Sequence, residues 1–271
     1  SLTLTVVRSF GARSLHLAFS QQGDLLATAG EDVVIRVWGT ASGIETFHLA
    51  GHRGQVMSLS FDAAGTRLAS AGVDGTARIW DLSPEGNRDV ASLVGMADPR
   101  RVEFSGDSRL LAVAGHDDAD APQAMIWDTG SWKLLHELPG TAAVAISPDG
   151  SRFATIDEHP LVTLRDMNGD VLIEPLPEVS AAASDLVTAI AFTPDGTRII
   201  TGDAVGSVQV WEADFSRPVV TMPGSQFSAV AGFEIDAAGR YLLSYSDVFG
   251  DSALVWDIAG AREVSALEPP G

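Results

Sequence analysis

An aromatic or aliphatic strand end returns six times along this chain of 271 residues, at Phe19, Phe61, Phe104, Ile146, Phe192 and Ile235. The intervals are 42, 43, 42, 46 and 43 residues. A fixed repeat of this length constrains the fold more than any other feature. Each unit must be one supersecondary element that buries its apolar face against the next. Two residues before each anchor stand Leu17, Leu59, Val102, Val144, Ile190 and Phe233, and seven residues after it Leu26, Leu68, Leu111, Phe153, Ile199 and Leu242. Between them lie "SQQGD", "DAAGT", "SGDSR", "SPDGS", "TPDGT" and "DAAGR". Gly and Asp there supply the positive φ and the side-chain bonds of a hairpin turn.

A third segment follows. Nineteen residues after the anchor stand Trp38, Trp80, Arg165 and Trp211; the distance is 23 for Trp127 and 21 for Trp256. Positions one and three before it are apolar in every unit, for example Ile79 and Ala77. That period of two predicts strands. A less regular fourth strand closes each unit, as in "GIETFHLAG" and "REVSALEP". Six units of four short strands point to an all-β fold with radially stacked four-stranded antiparallel blades, a β-propeller over residues 1–271. Stacked helix pairs are excluded by the period.

Composition narrows the partners. Seventeen basic residues stand against 36 acidic ones, a formal net charge of −19, which repels nucleic acid and anionic lipid. Neutral or basic proteins and peptides are the favoured partners, and neither nucleic acid nor membrane is expected. Lys133 is the one lysine among many arginines, a bias expected of a GC-rich bacterial gene. There is no cysteine, so disulfides, thiol catalysis and zinc–thiolate sites are out. No apolar run approaches the roughly 18 residues of a membrane helix. "SLTLTVVRSF" lacks the layout of a signal peptide, and a cytoplasmic location is expected. The chain does not start with Met and is expected to be part of something longer.

The recurring phrase "GVDGTARIWD" (Gly72–Asp81), with its variants "EDVVIRVWG", "APQAMIWD", "GSVQVWE" and "DSALVWD", resembles the WD-repeat (WD40) family over essentially the whole chain. Unit two carries the fullest pattern, with Gly51-His52, Ser70, Asp74 and Trp80-Asp81. The resemblance implies a buried hydrogen-bonded tetrad of His52, Ser70, Asp74 and Trp80. Physical chemistry supports such a tie independently, since a Trp wedged between blades needs an acceptor for its indole N–H. Other units are degenerate. Unit one keeps Thr28, Asp32 and Trp38. Unit five keeps Thr201 and Trp211 but has Val205 at the turn position. Unit four has Thr155, His159 and Arg165 in place of Trp, and is expected to be the softest blade.

Leu2–Arg8 reads as an outer strand, yet Arg262–Pro269 already supplies one for unit six. The surplus favours most of a seven-bladed ring over a closed six-bladed one. The resemblance implies partner binding on the rim formed by the loops from second to third strand and from blade to blade. Two of those loops are longer than the rest, "GHDDADAPQ" (Gly115–Gln123) and "SDVFGDSA" (Ser246–Ala253). Rim candidates are therefore His116, Asp117, Asp118, Asp120 and Phe249, with Arg53, Arg100 and Phe227 from the blade-joining loops.

The "HDDAD" stretch lacks the spacing of a calcium loop and reads as a solvated acidic loop. No G-x-S-x-G elbow, phosphate loop or zinc helix occurs. Asp157, Glu158 and His159 form one acidic–His cluster, read as blade drift. The functional expectation is a non-catalytic scaffold for protein–protein interaction without a cofactor. The resemblance implies fusion to a signalling domain, such as a kinase or nucleotide-driven switch, in a larger bacterial protein. The competing expectation is a propeller hydrolase or lactonase with a metal on the channel axis, and a third is a lid that senses a ligand for a neighbouring domain.

Overall fold

The computed structural model describes residues 14–30, 33–84, 88–157, 159, 161–173, 187–222, 229–246, 253–260 and 262–267. Among them every regular element is a strand, and the strands form six four-stranded antiparallel sheets, the blades of a β-propeller. Blade one is β1 (Ser14–Phe19), β2 (Leu25–Gly30), β3 (Ile35–Gly39) and β4 (Glu45–Leu49). Blade two is β5 (Val56–Phe61), β6 (Arg67–Gly72), β7 (Thr76–Asp81) and β8 (Arg88–Leu93). Blade three is β9 (Asp98–Phe104), β10 (Leu110–His116), β11 (Pro122–Asp128) and β12 (Leu134–Pro139). Blade four is β13 (Thr141–Ile146), β14 (Arg152–Asp157), β15 (Val162–Asp166) and β16 (Val171–Ile173). Blade five is β17 (Val187–Phe192), β18 (Arg198–Asp203), β19 (Val208–Glu212) and β20 (Pro218–Met222). Blade six is β21 (Gly232–Ile235), β22 (Tyr241–Tyr245), β23 (Ala253–Asp257) and β24 (Arg262–Leu267). Each blade runs in sequence order from first strand to last, with no strand exchanged between blades among the described residues. The segment Leu2–Arg8, on which the choice between six and seven blades turns, lies outside the described residues.

The chain divides into two compact units, one ending at Thr141 and the other running from Ala142. In the first unit, blades one and two pack through Ala27, Ala29, Ile35 and Val37 on one side and Leu59, Leu68 and Trp80 on the other. Blades two and three repeat the arrangement with Ala69, Ala71, Ala77 and Ile79 against Val102, Phe104 and Leu111. In the second unit, Ala154, Ile156, Val162 and Leu164 of blade four face Ile190, Phe192 and Trp211 of blade five. Blade five in turn presents Ile200, Val208 and Val210 to Phe233, Leu242 and Trp256 of blade six. One register explains all four interfaces. Period two sends odd and even positions of every strand to opposite faces. The trailing face carries small or branched residues, and the leading face of the next blade carries the aromatic ones. An aromatic side chain buries on the order of 150–250 Å², worth on the order of 4–6 kcal/mol at roughly 25 cal/mol per Å². These contacts are why blades that cannot stand singly hold together.

Polar staples reinforce the apolar ones. Arg67 donates from Nη1 to Thr129 O (3.3 Å) and from Nη2 to Ser108 O (3.2 Å) in the next blade, while its Nε donates to Asp62 (3.1 Å). Its guanidinium also lies over the Phe104 ring, 5.6 Å from the centroid. Arg152 does the same in the second unit, donating to Ala213 O of blade five at 3.3 Å. On the inner strands, Ser58 and Ser60 accept from the backbone N–H groups of Val102 and Phe104, both at 3.2 Å.

Candidate functional site

Blade two holds one continuous buried chain of polar groups. Trp80 Nε1 donates to Ser70 Oγ at 2.9 Å. Ser70 Oγ lies 2.7 Å from His52 Nε2, and His52 Nδ1 lies 3.0 and 3.1 Å from the two oxygens of Asp74. The proton order follows from the ends. Indole can only donate and an ionised carboxylate can only accept. Ser70 therefore accepts from Trp80 and donates to His52 Nε2, and the imidazole proton sits on Nδ1, aimed at Asp74. Asp74 also accepts from Arg53 N (2.7 Å), Thr76 Oγ1 (2.7 Å) and Thr76 N (3.2 Å).

Local sequence places each member. Ser70 and Trp80 share a face because Leu68 pairs with Trp80 and Ser70 with Arg78 across β6 and β7. Asp74 heads the Gly72–Thr76 turn, where Gly75 has φ +77°. His52 arrives from the segment joining β4 to β5. It fits because residue 72 is glycine: a Cβ there would lie 2.6 Å from His52 Nδ1. Gly51 is constrained in the same way, with a Cβ position 3.0 Å from Trp80 Cη2. Burial pushes the His52 imidazole below its ordinary value, outweighing the opposite pull of Asp74. Burial alone would raise the Asp74 carboxyl. The bonds from Arg53 N–H, Thr76 and His52 outweigh it and hold the group down at about 2.

Ser70, His52 and Asp74 thus have the connectivity of a nucleophile, a base and an orienting acid. The surroundings forbid that chemistry. Ser70 is 0% exposed, its oxygen already accepts the indole N–H, and the wall beside it is the apolar interface with blade one. No substrate carbon can reach Oγ, so the constellation ties blade two to the segment that enters it and fixes Trp80 against blade one.

The other blades keep fragments of it. Trp38 donates to Thr28 (2.9 Å), Trp211 to Thr201 (3.0 Å) and Trp256 to Ser244 (2.8 Å). Ser244 was not singled out from sequence, although it occupies the Ser70 position of its repeat. Asp32 lies outside the described residues. In blade three the hydroxyl position is Val113, and in blade four Arg165 replaces Trp and donates to Gly169 O at 3.1 Å. The outer strand of blade four is three residues long, the shortest of the strands described.

Val205 stands where an aspartate was looked for, but the blade-five turn does have one. Asp203, two residues earlier, accepts from Val205 N (3.0 Å) and Ser207 N (2.7 Å). Asp157 does likewise for His159 N (2.8 Å) and Leu161 N (3.0 Å), so its carboxylate is spent on the blade-four turn. His159 is exposed, and Glu158 lies outside the described residues. The signal that could have found these caps is the shared spacing, an Asp followed by N–H donors two and four residues on.

The first unit brings several rim candidates to one edge. Asp98 pairs with His116 across β9 and β10, which sets Arg100 and the 117–121 turn on the same side of blade three. Arg100 is ion-paired with Asp98 at 2.7 Å. Asp117 Oδ1 accepts from Ala119 N (2.8 Å) and Ala121 N (2.9 Å), leaving Asp118 and Asp120 as the exposed acids. Asp120 adopts φ +62°. His116 is half-buried, with Nδ1 lacking a hydrogen-bond partner. Arg53 is exposed beside the Gly72–Thr76 turn of blade two. Phe227 and Phe249 lie outside the described residues. Among the described residues no group of three or more His, Cys, Asp or Glu is arranged to hold a metal ion.

Two segments, residues 43–81 and 174–212, match the family model described as WD domain, G-beta repeat. WD repeat-containing protein 1 of Xenopus tropicalis is 27% identical over 173 residues, 61% of this chain and 27% of that protein. Protein groucho of Drosophila melanogaster is 26% identical over 142 residues, 49% of this chain and 18% of that protein. The chain therefore spans about a quarter or less of the length of these curated relatives. The chain is thus a β-propeller of four-stranded blades, similar in two segments to the WD40 repeat and over part of its length to WD-repeat proteins.

Proposed function

We propose that this chain is a non-catalytic scaffold that holds other proteins or peptides on its rim, as a module of a larger signalling or regulatory protein of bacterial, cytoplasmic origin. The observation that carries this reading is the fate of the polar side chains. The Ser70–His52–Asp74 chain is sealed against the interface of blades one and two, and Asp117, Asp157 and Asp203 are consumed in turns. What is left for solvent on the described rim of the first unit is a set of recognition groups, Arg53, Arg100, Asp118 and Asp120, carried on a stapled framework. Sites on rigid scaffolds recognise at a lower ordering cost. The similarity to WD repeat-containing protein 1 and groucho supports a WD-repeat interaction protein.

The test is affinity capture with two baits, the wild-type chain and a variant in which Asp117, Asp118 and Asp120 become Ser and Phe249 becomes Ala. A protein held by the first bait and lost from the second is expected. A protein held equally by both would move the binding face elsewhere on the scaffold. Capture of nothing, together with turnover in a hydrolase screen, would overturn the reading.

A further inference from the structure

The tryptophans at the repeat position of blades one, two, five and six donate their indole N–H to a hydroxyl, Trp38 to Thr28, Trp80 to Ser70, Trp211 to Thr201 and Trp256 to Ser244. Trp127 of blade three differs. Val113 occupies the hydroxyl position, and the Trp127 indole N–H has no acceptor among the described residues. The place of His52 has changed as well. Met96 follows Gly95 as His52 follows Gly51. A Cβ at Gly115 would lie 2.8 Å from Met96 Sδ, just as one at Gly72 would lie 2.6 Å from His52 Nδ1. Met125, paired with Val113, stands where blade two has Arg78 paired with Ser70.

Blade three has thus exchanged the polar chain of blade two for Met and Val, and a cleft results. Met96, Val113, Met125 and Trp127 line it, with Leu93 and Val94 from the end of β8. It lies between blades two and three, within the first unit. About 200 Å³ of it is free of atoms, solvent at the mouth included. Val94 is 68% exposed, while Met96 and Met125 are 7% and 4% exposed. Unbranched thioether chains re-pack more readily than branched ones, so a guest enters as the two methionines give way.

An apolar lining with one unpaired donor specifies the guest, which needs an apolar body and an acceptor beside it. A Leu or Met residue within a peptide has both, an apolar side chain and a backbone carbonyl. Gly75 and Pro99 also line the cleft. Gly75 belongs to the turn whose Asp74 holds the backbone of Arg53. Pro99 pairs with Gly115, two residues before the turn that carries the exposed Asp118 and Asp120. Those acids, on a chain of net charge −19, favour a basic guest. We propose that the cleft is the anchor pocket of the rim, taking one Leu or Met side chain of a basic partner peptide while Trp127 donates to that peptide's backbone. This inference rests on the scaffold reading and adds to it what the scaffold holds.

Magnetic resonance of the isotope-labelled chain tests it, with Trp127→Phe assigning the Trp127 indole signal. The probe is a short capped peptide of Ala and Arg with a central Leu or Met. Its addition should move the Trp127 signal saturably, and a central Ala or Asp should not. Val94→Asp, a change at an exposed position, should weaken binding about tenfold, the effect of placing a charge against an apolar guest. Val113→Thr gives Trp127 the internal partner that Thr28 and Thr201 give Trp38 and Trp211. It should move the Trp127 signal of the free chain and weaken the peptide roughly fivefold, about one hydrogen bond. Absence of a saturable shift with the Leu and Met peptides overturns the proposal. So does an equal response to the Ala peptide, or binding untouched by both variants. A peptide with Glu in place of Arg that binds as well overturns the basic partner. A protein captured by the wild-type bait and held equally by a Val94→Asp bait would leave the scaffold reading standing and remove the cleft as its anchor.

Discussion

The indole nitrogen of Trp80 donates to the hydroxyl of Ser70 at 2.9 Å, and that hydroxyl in turn donates a hydrogen bond to His52 Nε2 at 2.7 Å. Removing the middle member orphans both neighbours. Ser70→Ala should therefore destabilise the first unit by about 1–3 kcal/mol, more than a neutral hydrogen bond is worth, because two buried groups lose their partners. Thr201→Val in blade five removes the partner of Trp211 alone and should cost about 1 kcal/mol. Urea unfolding of the two variants beside wild type measures the difference; equal effects would show that the longer chain adds nothing.

Acid should loosen blade two in two stages. The folded His52 has its pKa below the ordinary 6.5, so the unfolded chain takes up the proton first. Stability from keeping it neutral is present above 6.5 and is lost as pH falls below that value. Asp74 is held at about 2 against an ordinary 3.8, so its contribution is full above 3.8 and is lost as pH falls toward 2. Asp149, bonded to Ser147 and Ser151 and also at about 2, adds to the second stage. Melting temperature against pH should show both declines in wild type; His52→Gln should reduce the first, leaving the part due to His16, whose pKa burial also lowers, and should weaken the second only by the share His52 contributes to Asp74, since Arg53 N–H and Thr76 remain.

Gly72→Ala places a methyl group 2.6 Å from an imidazole nitrogen that is tied at both ends. The ring cannot move without breaking a bond to Ser70 or Asp74. A cost of about 1–3 kcal/mol is expected, the range for overpacking. Thermal melts read it directly, and an unchanged midpoint would mean that His52 has room to shift.

Arg67→Ala removes donors to Thr129 O and Ser108 O and leaves Asp62, 3% exposed, without its ion partner. A loss of about 1–3 kcal/mol is expected for bonds to a charged group. Arg67→Lys should recover only part of it, since one ammonium cannot reproduce a planar fork spread over three acceptors. Denaturant midpoints for the three proteins decide it; full recovery by Lys would mean that charge alone matters.

Much of this protein was legible in its sequence because periodicity is a local property. The alternation around Phe61, Leu68 and Trp80, repeated with small variation through Ile235, Leu242 and Trp256, determined the strands, the four-stranded units and which face of each strand is apolar. The spacing of His52, Ser70, Asp74 and Trp80 marked residues that the fold then brings within hydrogen-bonding distance. Only the tertiary structure decided what those faces meet. That Ser70 is sealed, that Asp203 and Asp157 are spent on backbone N–H groups, and that Arg67 reaches carbonyls in the next blade all depend on neighbours 41 or more residues away or on turn geometry that spacing alone does not fix. The exposure of Leu17 and Phe19 makes the same point most sharply. Their pattern is identical to that of Leu59 and Phe61, yet Leu17 and Phe19 are 58% and 59% exposed while Leu59 is 9% exposed and Phe61 packs partly buried against the core of blades one and two, a difference that packing and not pattern sets.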